Sequence, residues 1–124
     1  MTDRPNLRHI DEVPFQRLWE GISGRTIESE QITLSLVELE PNGTVPSHQH
    51  QNEQVGIVIR GQVTFRAGDE ERTLGPGGTW TVRSNVPHGA DVGPEGATVV
   101  EVFTPIRDDW HALPLDEEQV AFWP

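Results

Sequence analysis

Two imidazoles stand two residues apart at His48 and His50, and Gln54 follows four residues later. On an extended segment, side chains of period two point the same way, so both rings enter one space, and the even step to Gln54 keeps it on that side. His88, in Asn85-Val86-Pro87-His88, adds a third ring from a distant part of the chain. Such a set suits a metal ion, while a His-x-His pair alone also occurs on surface loops by chance. A second segment, Glu101 to Trp110, holds an acid, an aromatic ring and a guanidinium. Glu101 and Phe103, two apart on a strand, can face one cavity, and Arg107 is a fork-shaped anion binder if it turns inward. The same residues also read as an exposed Glu101–Arg107 ion pair beside a core phenylalanine. Ser47 is no nucleophile, because a metal-bound His48 has no nitrogen free for its proton and nothing orients a triad.

Composition narrows the chemistry further. The chain of 124 residues has no Cys and no Tyr, and its nine cationic side chains are all Arg. Thiolate nucleophiles, Cys-ligated zinc, Schiff-base catalysis and a phenolic acid are thereby excluded. A formal charge of -11 argues against nucleic acid or an anionic membrane as partner, since both demand clustered basic residues. No apolar run approaches the roughly 20 residues that span a bilayer, and nothing near Met1 resembles a signal peptide, so a cytoplasmic location is expected.

The elements that must position these residues are short strands. Residues 31–40 alternate, with Ile32, Leu34 and Leu36 on one face and Thr33 and Ser35 on the other, and Pro41-Asn42-Gly43 closes a turn. Residues 54–60 form an apolar run ending at Gly61, which suits a buried strand. Residues 62–66 and 71–74 flank Ala67-Gly68-Asp69-Glu70 as a hairpin, and 79–83 and 98–103 are further strands. Residues 15–19 and 26–28 read as strands around a turn at 21–25. A helical turn is expected only at 116–122, with Asp116 as its N-cap. Many short strands with Gly and Pro turns predict one all-β domain spanning 1–124, a sandwich or barrel.

Gly43, His48, His50, Gln54 and Gly61 resemble the first motif of the cupin family, and Gly78 followed by Pro87-His88 resembles the second. The resemblance covers about residues 41–107 and implies a jelly-roll-like β-barrel holding one divalent transition metal ion through His48, His50, Gln54 and His88. Zn, Ni, Fe and Cu all suit such donors. Gln54 replaces the family's acidic ligand. Glu53 beside it lies an odd step from His50, and the seven-residue step to Gly61 also fits Gln54. Four neutral donors leave the ion's charge uncompensated, which favours Lewis-acid chemistry on anionic groups over dioxygenase chemistry, where a carboxylate ligand is more usual.

Within the family, the His-x-His-x-x-x-Gln pattern and the spacing of Glu101, Phe103, Pro105 and Arg107 are similar to the KdgF-type proteins of pectin and alginate breakdown. That similarity implies ring opening of unsaturated uronates to linear keto acids, with Arg107 on the substrate carboxylate, Phe103 against the ring and Glu101 moving the proton. Glu101 stands where the group has Asp. Polyketide cyclases share these ligands, and a non-catalytic small-molecule-binding cupin is a further possibility. Trp19, Trp80, Trp110 and Trp123 read as core or dimer anchors, with Trp80 also placed to line the pocket. His9 and His111 read as surface residues. A homodimer is expected, covering an edge near Trp19.

Overall fold

Alternating aliphatic and polar residues broken by Gly and Pro turns fold here into eight strands. The computed structural model describes residues 6–117 and 119. The strands are β1 (Gln16–Trp19), β2 (Ile22–Glu28), β3 (Thr33–Leu39), β4 (Thr44–His48), β5 (Glu53–Ala67), β6 (Glu70–Leu74), β7 (Thr79–Val82) and β8 (His88–Thr104). All pairing is antiparallel along the path β1-β2-β3-β8-β5-β6, with β4 added to β8 and β7 to β5. β5 and β8 are too long for one layer. Residues 53–58 pair with 99–104 in the first layer, and 63–67 pair with 88–92 in the second. The result is an all-β, jelly-roll-like fold whose end strands β1 and β6 do not pair, so the sheet is not closed by hydrogen bonds.

Glycine makes the fold-over possible. The β5–β8 register slips between Val58 and Arg60 and again between Gly61 and Val63. Gly61 (φ 80°) and Gly96 (φ 76°) meet at this corner, and a Cβ on Gly61 would lie 2.0 Å from the Gly96 carbonyl oxygen. Gly61 therefore does not end a strand, as its sequence context suggests, but bends a continuous one.

Ile22, Val37, Leu39, Val58, Val63, Val82, Val92 and Val99 pack between the layers. On β3 the expected alternation holds, and it is Thr33 and Ser35 that turn inward with Val37 and Leu39. Their hydroxyls are used: Thr33 Oγ1 accepts from the Arg107 backbone N–H at 2.9 Å, and Ser35 Oγ lies 3.2 Å from Thr26 Oγ1. The run 54–60 is not fully buried, because Val55, Ile57 and Ile59 face outward, 48%, 37% and 39% exposed.

Three further expectations change. Residues 22–25 are strand, not turn, because Gly21 (φ 73°) alone reverses the chain. The β1 edge near Trp19 is covered by the chain's own later residues: Gln16 bridges Leu115, and Arg17 N–H donates to the Pro114 carbonyl at 2.9 Å. Asp116 accepts from Ser23 Oγ and from Arg17 Nε (3.1 Å), tying that segment down. The helical turn at 116–122 falls largely, and Trp123 wholly, outside the described residues. Elsewhere, single 3₁₀ turns that the sequence reading did not expect occur at Ile10–Glu12 and Asp108–Ala112. No helix among the described residues is long and apolar enough to cross a membrane.

Gly61→Ala should destabilise the fold by about 3 kcal/mol or more, since it combines a positive φ with a backbone clash. A urea titration checks this, and a loss under about 1 kcal/mol would show that the corner can relax.

Candidate metal centre

Strand pairing brings the histidines together. His48, the last residue of β4, sits directly opposite His88, the first of β8. His50 lies just beyond β4 rather than on it, and the bend at Gln51–Asn52 carries the chain to Gln54 on β5. Asn52, which the sequence reading passed over, anchors that bend: its buried amide donates to the carbonyls of Pro105 (2.6 Å) and Ile106 (3.1 Å). Glu53 is exposed, while Gln54 is buried.

Each imidazole is oriented by the backbone. Nδ1 lies 2.8 Å from the Pro46 carbonyl in His48, 2.9 Å from Asn52 in His50 and 2.9 Å from Val86 in His88. A carbonyl oxygen only accepts, so each Nδ1 carries a proton and Nε2 is the nitrogen left to meet a ligand. His88 Nε2 is buried with no hydrogen-bond partner. His50 Nε2 is 2.9 Å from Gln54 Oε1, and two lone-pair carriers at that distance repel unless a cation or proton lies between them or the amide reverses. Ligand nitrogens of the three histidines stand within 4.8 Å of one another. Bonds of about 2.0–2.1 Å to one ion need only a small inward closure of these rings. This donor set fits a divalent transition metal.

Burial favours the neutral form of two of the three rings. It pushes His88 down to about 4, aided by the charges of His48, His50 and Arg107 and opposed by its bond to Val86. His50 is lowered by burial and then by Arg107.

The other residues singled out by sequence line the same cavity, of about 350 Å³, whose exposed lining residues Trp19, Gln49 and Asp109 mark the mouth. Phe103 lies opposite Gln54, its ring 5.9 Å from that of His50, and Glu101 lies opposite Gly56. Burial pushes the Glu101 carboxyl up to about 7 against the pull of Arg107. Arg107 is buried, stacked 4.9 Å from Phe103 and 4.3 Å from Trp110. It is not paired with Glu101. Its Nε and Nη2 edge is held by Asp109 at 3.0 and 2.9 Å, so half of the fork is taken and its charge is balanced. Trp80 lines the cavity too, stacked 4.8 Å from Phe65, with its Nε1–H buried and unpartnered. It lies flat over Gly56, where a Cβ would come 2.2 Å from the indole. A glycine inside an aliphatic strand was the available sign of that close approach. His9 and His111 lie on the surface, His9 capping the first 3₁₀ turn and His111 bonded to Glu28.

Residues 35–103 match the family model of the cupin domain. The chain belongs to the cupin family. It is 26% identical over 102 residues to the pectin degradation protein KdgF of Dickeya dadantii (strain 3937), covering 81% of this chain and 93% of that one. This cupin also resembles the structure of KdgF from Halomonas sp., with TM-score 0.79, 24% identity, 86% of this chain and 98% of that chain. A third resemblance is to the polyketide cyclase RemF from Streptomyces resistomycificus, with TM-score 0.74, 21% identity, 96% of this chain and 89% of that chain.

Two outcomes follow for this cupin. Elemental analysis should find about one transition-metal ion per chain, and His88→Ala or Gln54→Ala should weaken uptake by about 10- to 100-fold or more. Full metal content in His88→Ala would exclude this centre. In chelator-treated protein, His88 binds its proton less readily folded than unfolded, so its contribution to stability is present above pH 6.5 and lost as pH falls toward about 4. His88→Asn removes that loss. Its stability relative to the parent should therefore improve by about 1–2 kcal/mol between pH 7 and pH 5.

Proposed function

We propose that this cupin is a metal-dependent isomerase acting on a small carboxylated molecule, most specifically an unsaturated uronate. The observation that carries the reading is one carboxyl group, Glu101, facing the same cavity as three converging imidazoles and an arginine. The similarity to the pectin degradation protein KdgF supports it.

His48, His50, Gln54 and His88 would hold the ion, which supplies Lewis-acid polarisation of a substrate oxygen. Glu101 has no neighbouring donor holding its carboxyl among the described residues, and its raised pKa lets it both take and return a proton near neutrality. In a cyclic 4,5-unsaturated uronate it would take the proton of the C1 hydroxyl. The C1–O5 bond then breaks, leaving an aldehyde at C1 and an enol oxygen at C5. Return of the proton to C4 gives the C5 ketone. The open product has the composition of the ring, so no co-reactant is needed. Arg107 offers its remaining Nη1 edge to the carboxylate, with Phe103 and Trp110 fixing the guanidinium plane. Trp80 Nε1–H is a free donor for a ring oxygen or hydroxyl.

One observation favours a second reading. Much of the cavity lining is aliphatic, with Ile22, Val37, Leu39, Val63 and Val99. Sugar hydroxyls against it would be left unpaired. A carboxylated aromatic or polyketide substrate, turned over or merely bound, fits that lining better.

Metal-loaded protein incubated with 4,5-unsaturated galacturonate should lose the C4 vinyl proton signal by NMR. Unchanged ring signals would remove this substrate and leave the second reading. Glu101→Gln should cut turnover by about 10²- to 10⁴-fold with metal content intact. Because the base form is required, activity should rise with pH as Glu101 ionises, with the midpoint at or below about 7, since a nearby cation stabilises the carboxylate.

A further inference from the structure

A second buried guanidinium lies away from the metal centre. Side chains alternate along β2, and because Ile22 packs in the core, Ser23 and Arg25 turn to the other face of the sheet. The segments before β1 and after the last 3₁₀ turn cover them there. Ser23 Oγ donates to Asp116, and the Arg25 guanidinium carbon sits 4.6 Å from the centre of the Phe15 ring. The Asp116 N–H donates to the Phe15 carbonyl at 2.8 Å, tying the two covering segments together. Arg25 is left 1% exposed.

Its hydrogen bonding is incomplete. Nη1 reaches Asp11 Oδ1 only at 3.5 Å, and the Asp11 side chain is itself exposed. Nε and Nη2 are buried with no hydrogen-bond partner among the described residues. A guanidinium cannot shed its charge, so these donors carry a desolvation cost that no described residue offsets. Nε and Nη2 are the parallel pair that matches the two oxygens of a carboxylate. Arg107 shows that edge in use, since the same two nitrogens there hold Asp109 at 3.0 and 2.9 Å.

Arg25 lines a cavity of about 400 Å³ that shares no lining residue with the metal cavity among the described residues. Val13, Phe15 and Leu115 give it apolar walls, while Asp11, Asp116 and Glu117 bring carboxylates. Arg17 holds Asp116 at 3.0 Å. Two arginines against three acids repel a dianion, whereas a single carboxylate on an apolar body matches both the donor edge and the walls. We infer that this cavity binds a small apolar monocarboxylic acid, its carboxylate on Nε and Nη2 of Arg25. The exposed Asp11 side chain, held by one long contact, is the part of the rim that gives way to admit it. The site is independent of the uronate reading.

Benzoate is the probe, titrated into the zinc-loaded full chain and followed by NMR. The Arg25 Nε–H signal and the Phe15 and Leu115 amides should shift together and saturate, while inorganic phosphate should leave them in place. Arg25→Lys keeps the charge but loses the paired donors, and should weaken this binding by about 10-fold or more. Benzoate entering the metal cavity is read separately, at the Phe103 and Trp110 amides, and Arg25→Met should not alter it. An arginine that merely props the fold would cost stability when removed. Arg25→Met should instead match or exceed the parent's Tm without benzoate, because an unsatisfied buried charge is gone. No saturable shift at Arg25, Phe15 and Leu115, an equal response to phosphate, or a Tm lower by about 5 °C or more in Arg25→Met would each overturn the inference.

Discussion

Three hydrogen bonds from imidazole Nδ1 to backbone carbonyls decide what this protein can do. Pro46, Asn52 and Val86 each hold the proton of a histidine two residues away. With that proton committed, every ring presents a bare Nε2 to its neighbours, and the rings of His48 and His88 lie only 4.3 Å apart. Such a cluster is electrostatically poor by itself, because lone pairs converge without a proton among them. Protonation would relieve it, yet burial holds His88 and His50 in the neutral form. A cation is the species that satisfies all three at once.

That arrangement depends on the long β5–β8 ribbon. One half of the ribbon carries Gln54, Glu101 and Phe103, and the other half ends at His88. Folding it over at Gly61 and Gly96 brings both halves to one cavity. The turn after β8 then returns Arg107 over Phe103, where Thr33 fixes its backbone and Asp109 its side chain. The cavity thus contains three imidazoles, an amide, one carboxyl of raised pKa and one guanidinium whose fork is half occupied by an aspartate. Glu101 shares this cavity, so a cation bound there would favour its ionised form.

The convergence of His48, His50 and Gln54 was legible because His-x-His and the even step to Gln54 are local patterns, even though His50 and Gln54 are joined by a bend rather than a strand. The hairpin at 67–70 and the strands at 33–39 and 79–82 were legible for the same reason. The first half of β8 was not. Gly89, Gly93, Pro94 and Gly96 are poor strand formers, and pairing with β5 and β4 is what makes 88–97 a strand. The hold of Asp109 on Arg107 was hidden as well. An exposed acid two residues from an arginine has no distinctive pattern, and the 3₁₀ turn at Asp108–Ala112 is what aims it. The 54–60 run misled in another way, since Val55, Ile57 and Val58 look alike in sequence and only register separates surface from core.

Register is therefore the link between the two surfaces of this sheet. Glu101 stands between Val100 and Val102, and Gly56 between Val55 and Ile57. A slip of one residue in either strand would exchange the two sets, placing a carboxylate in the outer aliphatic field and a valine in the site. The bulges at 58–60 and 61–63 fix where the alternation resets. The inner row keeps Glu101 and Gln54 facing the cavity because Val58, Val99 and Phe103 on that same row are buried and would be lost from the core by a slip. Burial of Val58, Val99 and Phe103 on the inner face of the first layer is in this sense part of what positions the acid.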